Sequence, residues 1–152
     1  MKIKKAVISA AGFGTRFLPI SKTIQKEMLP ILNRPIIDYV VADCVKAGIE
    51  DIVIIISEHN SQILHYYREN QRLFDYLKNK EKADLYQEVS HLHQQANFYF
   101  VRQPDDAPYG TAVPLQLVRD HIQNEDAFLY LTGDDFVYRA DDSFSFTREM
   151  ID

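Results

Sequence analysis

The sequence predicts an α/β fold: an open, mainly parallel sheet with helices on both faces and a helical insertion after the second strand. Three observations predict it. Short β-branched runs alternate with segments of helical period. One of those runs, Asp51 to Ile56, is apolar on both faces, the pattern of a strand covered from both sides. The stretch from Asn60 to about His93 is rich in Leu, Tyr, Lys, Glu and Gln and holds neither glycine nor proline, which favours two or three helices.

In chain order, Ala6 to Ala10 is a short apolar run that empties into Gly12 and Gly14, hence a buried first strand followed by a tight loop. Asn33 is placed to cap a helix with Pro35 in its first turn. Ile36, Ile37, Val40, Val41, Cys44 and Val45 then recur at helical spacing until Gly48. Asn97 to Val101 has strand character. Thr111 to Ile122 reads as a helix with Pro114 near its start, and Ala127 to Leu131 reads as a further strand leading to Gly133-Asp134-Asp135. Asp142 or Ser143 can cap a closing helix, which has few residues left before the chain ends and reads as cut short. An open sheet of this kind binds ligands outside the carboxyl ends of its strands.

Length and composition bound the function. With 152 residues, 46% apolar and 26% charged, the chain is one globular domain. Its 17 basic and 22 acidic residues, a formal charge of −5, argue against nucleic acid or anionic lipid as partners, so any anion site is local. No apolar run approaches the ~20 residues that span a bilayer, and no membrane role is expected. One cysteine, Cys44, cannot form an intramolecular disulfide, and the N-terminus carries no secretory pattern, which fits the cytoplasm.

Chemistry concentrates in Ala10-Ala11-Gly12-Phe13-Gly14-Thr15-Arg16. Glycines after a strand let backbone N–H groups approach an anion, and the planar fork of Arg16 suits phosphate oxygens. The loop is neither a Walker A sequence nor a complete dinucleotide fingerprint, and by itself it reads equally well as a structural turn. His91 and His93 lack the carboxylates or thiolates of a metal set. The aromatic residues between Tyr66 and Tyr86 read as packing within the insertion, and Cys44, on an apolar helix face, reads as inert.

The continuation Leu18-Pro19-Ile20-Ser21-Lys22 and then Lys26-Glu27-Met28-Leu29-Pro30 resembles the sugar nucleotidyltransferase family, and within it the bacterial UTP–glucose-1-phosphate uridylyltransferases. The resemblance extends over essentially the whole chain and about half of such an enzyme. It implies a Rossmann-like nucleotidyltransferase fold in which residues 1–152 form the nucleotide-binding part. The implied reaction is attack of a sugar 1-phosphate on the α-phosphorus of UTP, releasing pyrophosphate, with Mg²⁺ as cofactor. UTP and the sugar 1-phosphate are the implied partners, and a homo-oligomer is left open. Arg16 would hold the leaving pyrophosphate portion and Lys26 would set a compact charge against the phosphates. Ala11, Gly12, Gly14 and Thr15 would form the nucleotide cradle, with Glu27 near the base. Gln103 would read the uracil edge, Gly110 would contact the base, and Asp134 would bind Mg²⁺. The role of Asp135 stays open. Two departures from the pattern stand out. Gln25 replaces a proline, so no X-Pro restriction holds the backbone before Lys26. Pro108-Tyr109-Gly110 replaces a pair of spaced glycines. A thymidylyltransferase or other sugar-1-phosphate nucleotidyltransferase, and a noncatalytic nucleotide-binding module, are the alternatives.

Overall fold

The computed structural model describes residues 2–108, 110–141 and 143–151. Four parallel strands, β1 (Lys5–Ala10), β4 (Asp51–Ser57), β5 (Asn97–Gln103) and β6 (Leu129–Thr132), form one sheet in the order β5-β4-β1-β6. Ala6, Val7 and Ile8 pair with Ile52, Val53 and Ile54 on one side, and with Leu129, Tyr130 and Leu131 on the other. From β1 the chain steps outward through β4 to β5 and then returns across the sheet to β6. The two neighbours of β1 therefore belong to connections running in opposite directions, and it is outside the carboxyl ends of the strands at such a switch point that open α/β sheets bind ligands.

Both faces of the sheet are covered, which is why Ile52 to Ile56 is apolar without alternation and wholly buried. On one face, α1 (Ile36–Lys46) presents Ile37, Val40, Val41 and Cys44 at spacings of three and four residues against Ala6, Ile8, Ile52, Ile54 and Leu129. On the other, Val7, Val53 and Ile55 meet Val118 with Leu115, Leu117 and Ile122 around it. Each such Val, Leu or Ile contributes roughly 1.5–3 kcal/mol on full burial.

The insertion is helical, as its composition predicts: α2 (Gln62–Tyr66), α3 (Gln71–Asn79) and α4 (Ala83–Ser90), followed by a single 3-10 turn at Leu92–Gln94. Ile63, Tyr67 and Leu92 anchor it in the core, and the Tyr67 ring stacks on Phe98 with centroids 4.5 Å apart. Tyr66, Tyr67 and Tyr86 thus serve packing, with Phe74 against the edge of Tyr86 at 5.1 Å, while Tyr76 is exposed.

Several local expectations change. Asn33 does not cap α1. It lies in the turn of a small hairpin, β2 (Pro30–Ile31) with β3 (Arg34–Pro35), and Pro35 occupies the cap position. The segment around Pro114 is two short helices, α5 (Val113–Leu117) and α6 (Arg119–Ile122), because the backbone leaves helical geometry at Val118. The closing helix α7 (Phe146–Ile151) starts after Ser143 and Phe144. Ser145 Oγ accepts the Arg148 N–H at 3.1 Å, and the Thr147 N–H donates to Asp43 Oδ2 at 2.8 Å, tying α7 to α1. Asp142, the other capping candidate, lies outside the described residues, as does Tyr109. No helix among the described residues is long and apolar enough to cross a membrane.

Candidate functional site

Three segments converge at the carboxyl ends of β1 and β6: the loop after β1, residues 24–29, and Gly133-Asp134. Gly133 follows β6, and its N–H donates to Ser9 O at 3.0 Å. A Cβ there would sit 3.0 Å from Glu27 Cγ and 3.3 Å from Ala10 Cβ, so glycine makes room for the Glu27 side chain beside β1. Glu27 is 0% exposed. Its Oε1 lies 2.8 Å from Lys26 Nζ as an ion pair, and neither carboxylate oxygen has a hydrogen-bond partner beyond that contact. The same Lys26 ammonium reaches Asp134 Oδ2 at 2.6 Å, so one cation bridges a buried and a partly exposed carboxylate.

Burial opposes the charge on Lys26, but its bonds to Asp134 and Glu27 outweigh that and hold its pKa above the ordinary lysine value. Burial also raises the Glu27 carboxyl, against the pull of Lys26. A lysine held charged in this way serves as a fixed positive group rather than as a proton donor.

The loop after β1 divides into two kinds of glycine. Gly14 has φ +61°, and a Cβ on it would meet Ser21 Cβ at 3.2 Å and Lys26 Cβ at 3.3 Å, so the loop's own fold demands glycine. At Gly12 the nearest atom to an added Cβ is Lys26 Cε at 3.6 Å, ordinary contact, so the fold makes no such demand. Thr15 and Arg16 form an exposed 3-10 turn with Phe17, and no hydrogen bond or ion pair among the described residues holds the Arg16 guanidinium.

A cleft of about 680 Å³ lies beside this loop, with Ala11, Gly12, Gln25, Ser61, Gln62 and Asp105 in its wall. Gln103 and Gly110 do not line it. Gln103 closes β5 and pairs with Ser57, and its Oε1 is buried without a partner. Gly110 is exposed on the loop ahead of α5, where its carbonyl accepts the Val113 N–H at 3.3 Å. The structure therefore brings Gly12, Gly14, Lys26, Glu27 and Asp134 together, with Ala11 beside Gly12 in the cleft wall, and shows no contact of Arg16, Gln103 or Gly110 with that group among the described residues.

Two residues of the site escape sequence reasoning. Gln25, which in the sequence only marks a missing proline, is 6% exposed and donates from Nε2 to Ala10 O. Gln62 accepts the Gln25 N–H at 2.8 Å across 37 positions of sequence, and no local signal announces it. The exposed trio Glu58, His59 and Asp105 at the cleft rim brings possible metal-ligand atoms within 4.8 Å of one another, but His59 and Asp105 already pair at 3.3 Å, and Glu58 already accepts the Asp105 N–H. His91 and His93 form no such group among the described residues.

The model of the nucleotidyl transferase family matches residues 5–149. The chain belongs to that family. Curated relatives of this nucleotidyl transferase include UTP–glucose-1-phosphate uridylyltransferase 1 of Staphylococcus saprophyticus, 46% identical over 137 residues, which are 90% of this chain and 47% of the relative. The corresponding Staphylococcus epidermidis protein is 46% identical over 136 residues, 90% of this chain and 46% of its own length. Among solved structures, a UTP-bound UGPase from Acinetobacter baumannii superposes with a TM-score of 0.88 at 36% identity, covering 98% of this chain and 51% of that one. A UDP-glucose pyrophosphorylase complexed with UDP-glucose gives 0.75 at 33% identity, covering 97% and 51%. The chain spans about half the length of the curated relatives it matches. The four-stranded parallel sheet flanked by helices is the nucleotidyltransferase fold of those structures.

Proposed function

We propose that this chain binds UTP as the nucleotide-binding part of a uridylyltransferase that acts on a sugar 1-phosphate, most closely glucose 1-phosphate, giving UDP-sugar and pyrophosphate. The observation that carries the reading is the Lys26 ammonium fixed between Glu27 and Asp134 where a glycine loop leaves β1. The relatives' names supply the substrate class, and the site chemistry supports it.

In that reaction an oxygen of the sugar 1-phosphate forms a bond to the α-phosphorus of UTP as the bond to the pyrophosphate oxygen breaks. No protein nucleophile is needed. The demands on the protein are alignment and neutralisation of phosphate charge, tasks for positioned donors and cations. Lys26 supplies the fixed positive charge. Arg16, exposed and uncommitted, closes on the leaving pyrophosphate with its two-pronged donor set. Ala11, Gly12, Gly14 and Thr15 bring backbone close to the nucleotide. Gln103 offers a buried carbonyl oxygen that lacks a donor, which the uracil N3–H supplies. Glu27 and Gly110 lie toward the base.

The donor chemistry at Asp134, a partly exposed carboxylate, suits a hard divalent cation. Asp134 would hold Mg²⁺, which when bound neutralises phosphate charge. Calorimetric titration of UTP with and without Mg²⁺ tests this assignment. Asp134→Asn is expected to abolish most of the Mg²⁺-dependent gain in UTP affinity and to leave uridine affinity unchanged. A variant that keeps the full gain removes Asp134 from the metal site.

A further inference from the structure

The backbone ahead of Lys26 is held by side chains rather than by proline. Gln25 has φ −59° and ψ 134°, an extended geometry that proline would impose, although the residue is free to rotate. Gln62, the first residue of α2, accounts for this. Its Oε1 accepts the Gln25 N–H at 2.8 Å and its Nε2 donates to Thr23 O at 3.0 Å, so one amide grips the backbone on both sides of Ile24. A side-chain amide offers a donor and an acceptor at adjacent atoms, which is what a backbone segment presents to a pairing strand. The Gln25 side chain adds a third tie, from Nε2 to the carbonyl of Ala10 at the end of β1.

These ties lead back to rigid ground. The start of α2 is set by the Gln62 N–H donating to Asn60 Oδ1 at 3.0 Å, and the helix is rooted by Ile63 and Tyr67 in the core. Lys26 is the next residue after the clamped segment. Its ammonium meets Glu27 and Asp134 at the site, and a displacement of about 1 Å in a positioned group costs on the order of a hundredfold in catalysis.

We infer that Gln62, acting with Gln25, is a positioning residue that holds Lys26 on the triphosphate of the bound nucleotide, so that the helical insertion forms part of the site. This rests on reading Lys26 as the phosphate cation.

The test combines Q62A, Q62A/Q25P and K26A with two readouts: calorimetric affinities for UTP and uridine in Mg²⁺, and amide hydrogen exchange. In Q62A the Gln25 amide is expected to exchange at least about tenfold faster, with the amides of β1 and β4 unchanged. UTP affinity is expected to fall roughly 3- to 10-fold, the range of a lost neutral hydrogen bond, with uridine affinity intact. Adding Q25P, which restricts φ near the observed value and leaves no N–H to satisfy but gives up the tie from Gln25 Nε2 to Ala10, is expected to recover part of that loss. Unchanged UTP affinity in Q62A, an equal loss for UTP and uridine, or no recovery with proline overturns the inference. Should Q62A loosen the core amides, Q62M replaces it. Q62M keeps the length of the side chain and removes both bonds to the 23–25 backbone without adding charge, and the inference then requires the same loss confined to UTP, with no loss or an unselective one overturning it. K26A separates the two levels. If K26A weakens UTP selectively and Q62A does not, the clamp alone fails. If K26A spares UTP, the reading of Lys26 fails and the clamp's role with it.

Discussion

Lys26 and Arg16 are ten positions apart and offer the same charge, yet the structure treats them oppositely. Lys26 is fixed between Glu27 and Asp134, and its backbone is gripped by Gln62. Arg16 stands on an exposed turn with no partner among the described residues. A group already in place costs no reorganisation when a ligand arrives, whereas ordering a free arginine offsets part of what its contacts contribute, about 0.5–1.5 kcal/mol per immobilised side chain. Lys26 is thus held by the fold itself, and Arg16 is not.

Removing Lys26 is the largest expected effect. Lys26→Ala leaves Glu27 buried without its cation, and breaking such a pair costs on the order of 3 kcal/mol, read as a lower urea midpoint. The loss depends on pH. Burial already raises the Glu27 carboxyl against the pull of Lys26, and without Lys26 it rises further. A raised carboxyl favours the folded state while protonated and disfavours it as pH climbs. The K26A destabilisation is therefore expected to be small in mildly acidic, Mg²⁺-free buffer and to grow toward alkaline pH.

Arg16→Ala is expected to do the reverse. Its unfolding midpoint stays within about 0.5 kcal/mol of wild type, as for an exposed side chain without partners. UTP affinity falls roughly 10- to 150-fold, the range of a lost charge-assisted bond, while uridine affinity holds. Equal losses for UTP and uridine would make Arg16 structural.

The two loop glycines repeat the contrast on a smaller scale. Gly14→Ala must place a Cβ at positive φ and within 3.2–3.3 Å of Ser21 and Lys26, costing about 1–2 kcal/mol of stability. Gly12→Ala meets only ordinary contact and is expected to leave stability unchanged and, on the proposed reading of this loop as the nucleotide cradle, to weaken UTP. Matching stability losses in the two variants would remove the distinction.

Cys44 gives the smallest effect and a reference point outside the site. Burial pushes its thiol up to about 12. At neutral pH the folded protein then holds roughly a thousandfold less thiolate than an unfolded chain, so iodoacetamide modifies it only after unfolding. Above the ordinary thiol range the unfolded chain ionises first, and this contribution lowers stability as pH rises toward 12.

What the sequence makes legible follows from periodicity. β4 is readable because Ile52 to Ile56 leaves no polar face, and α1 because its buried positions recur every three or four residues. The β2–β3 hairpin is not, since two strands of two residues each, both containing proline, carry no period. The break at Val118 hides in continuous helical composition. At the site, Lys26 and Asp134 stand far apart in sequence and meet at 2.6 Å; the motif's resemblance to known nucleotidyltransferases gives each a role there, and their pairing is visible only in the structure. Gln62 has no motif, and its effect lies in where α2 places it. The missing proline at position 25 suggests a loosely held Lys26, and the structure shows side-chain hydrogen bonds supplying the restraint.

The central claim, that this nucleotidyl transferase chain presents a uridine site with a preformed phosphate cation, is tested most directly by titrating the wild-type chain with UTP and with ATP in Mg²⁺. Uracil offers the buried Gln103 Oε1 an N3–H flanked by two carbonyl acceptors, whereas the larger adenine offers an exocyclic N6–H₂ beside a ring acceptor, so a site shaped for uracil leaves adenine's polar groups out of line, and misaligned polar groups discriminate strongly. UTP is expected to bind at least about tenfold tighter than ATP. Equal affinities for the two nucleotides would contradict the claim.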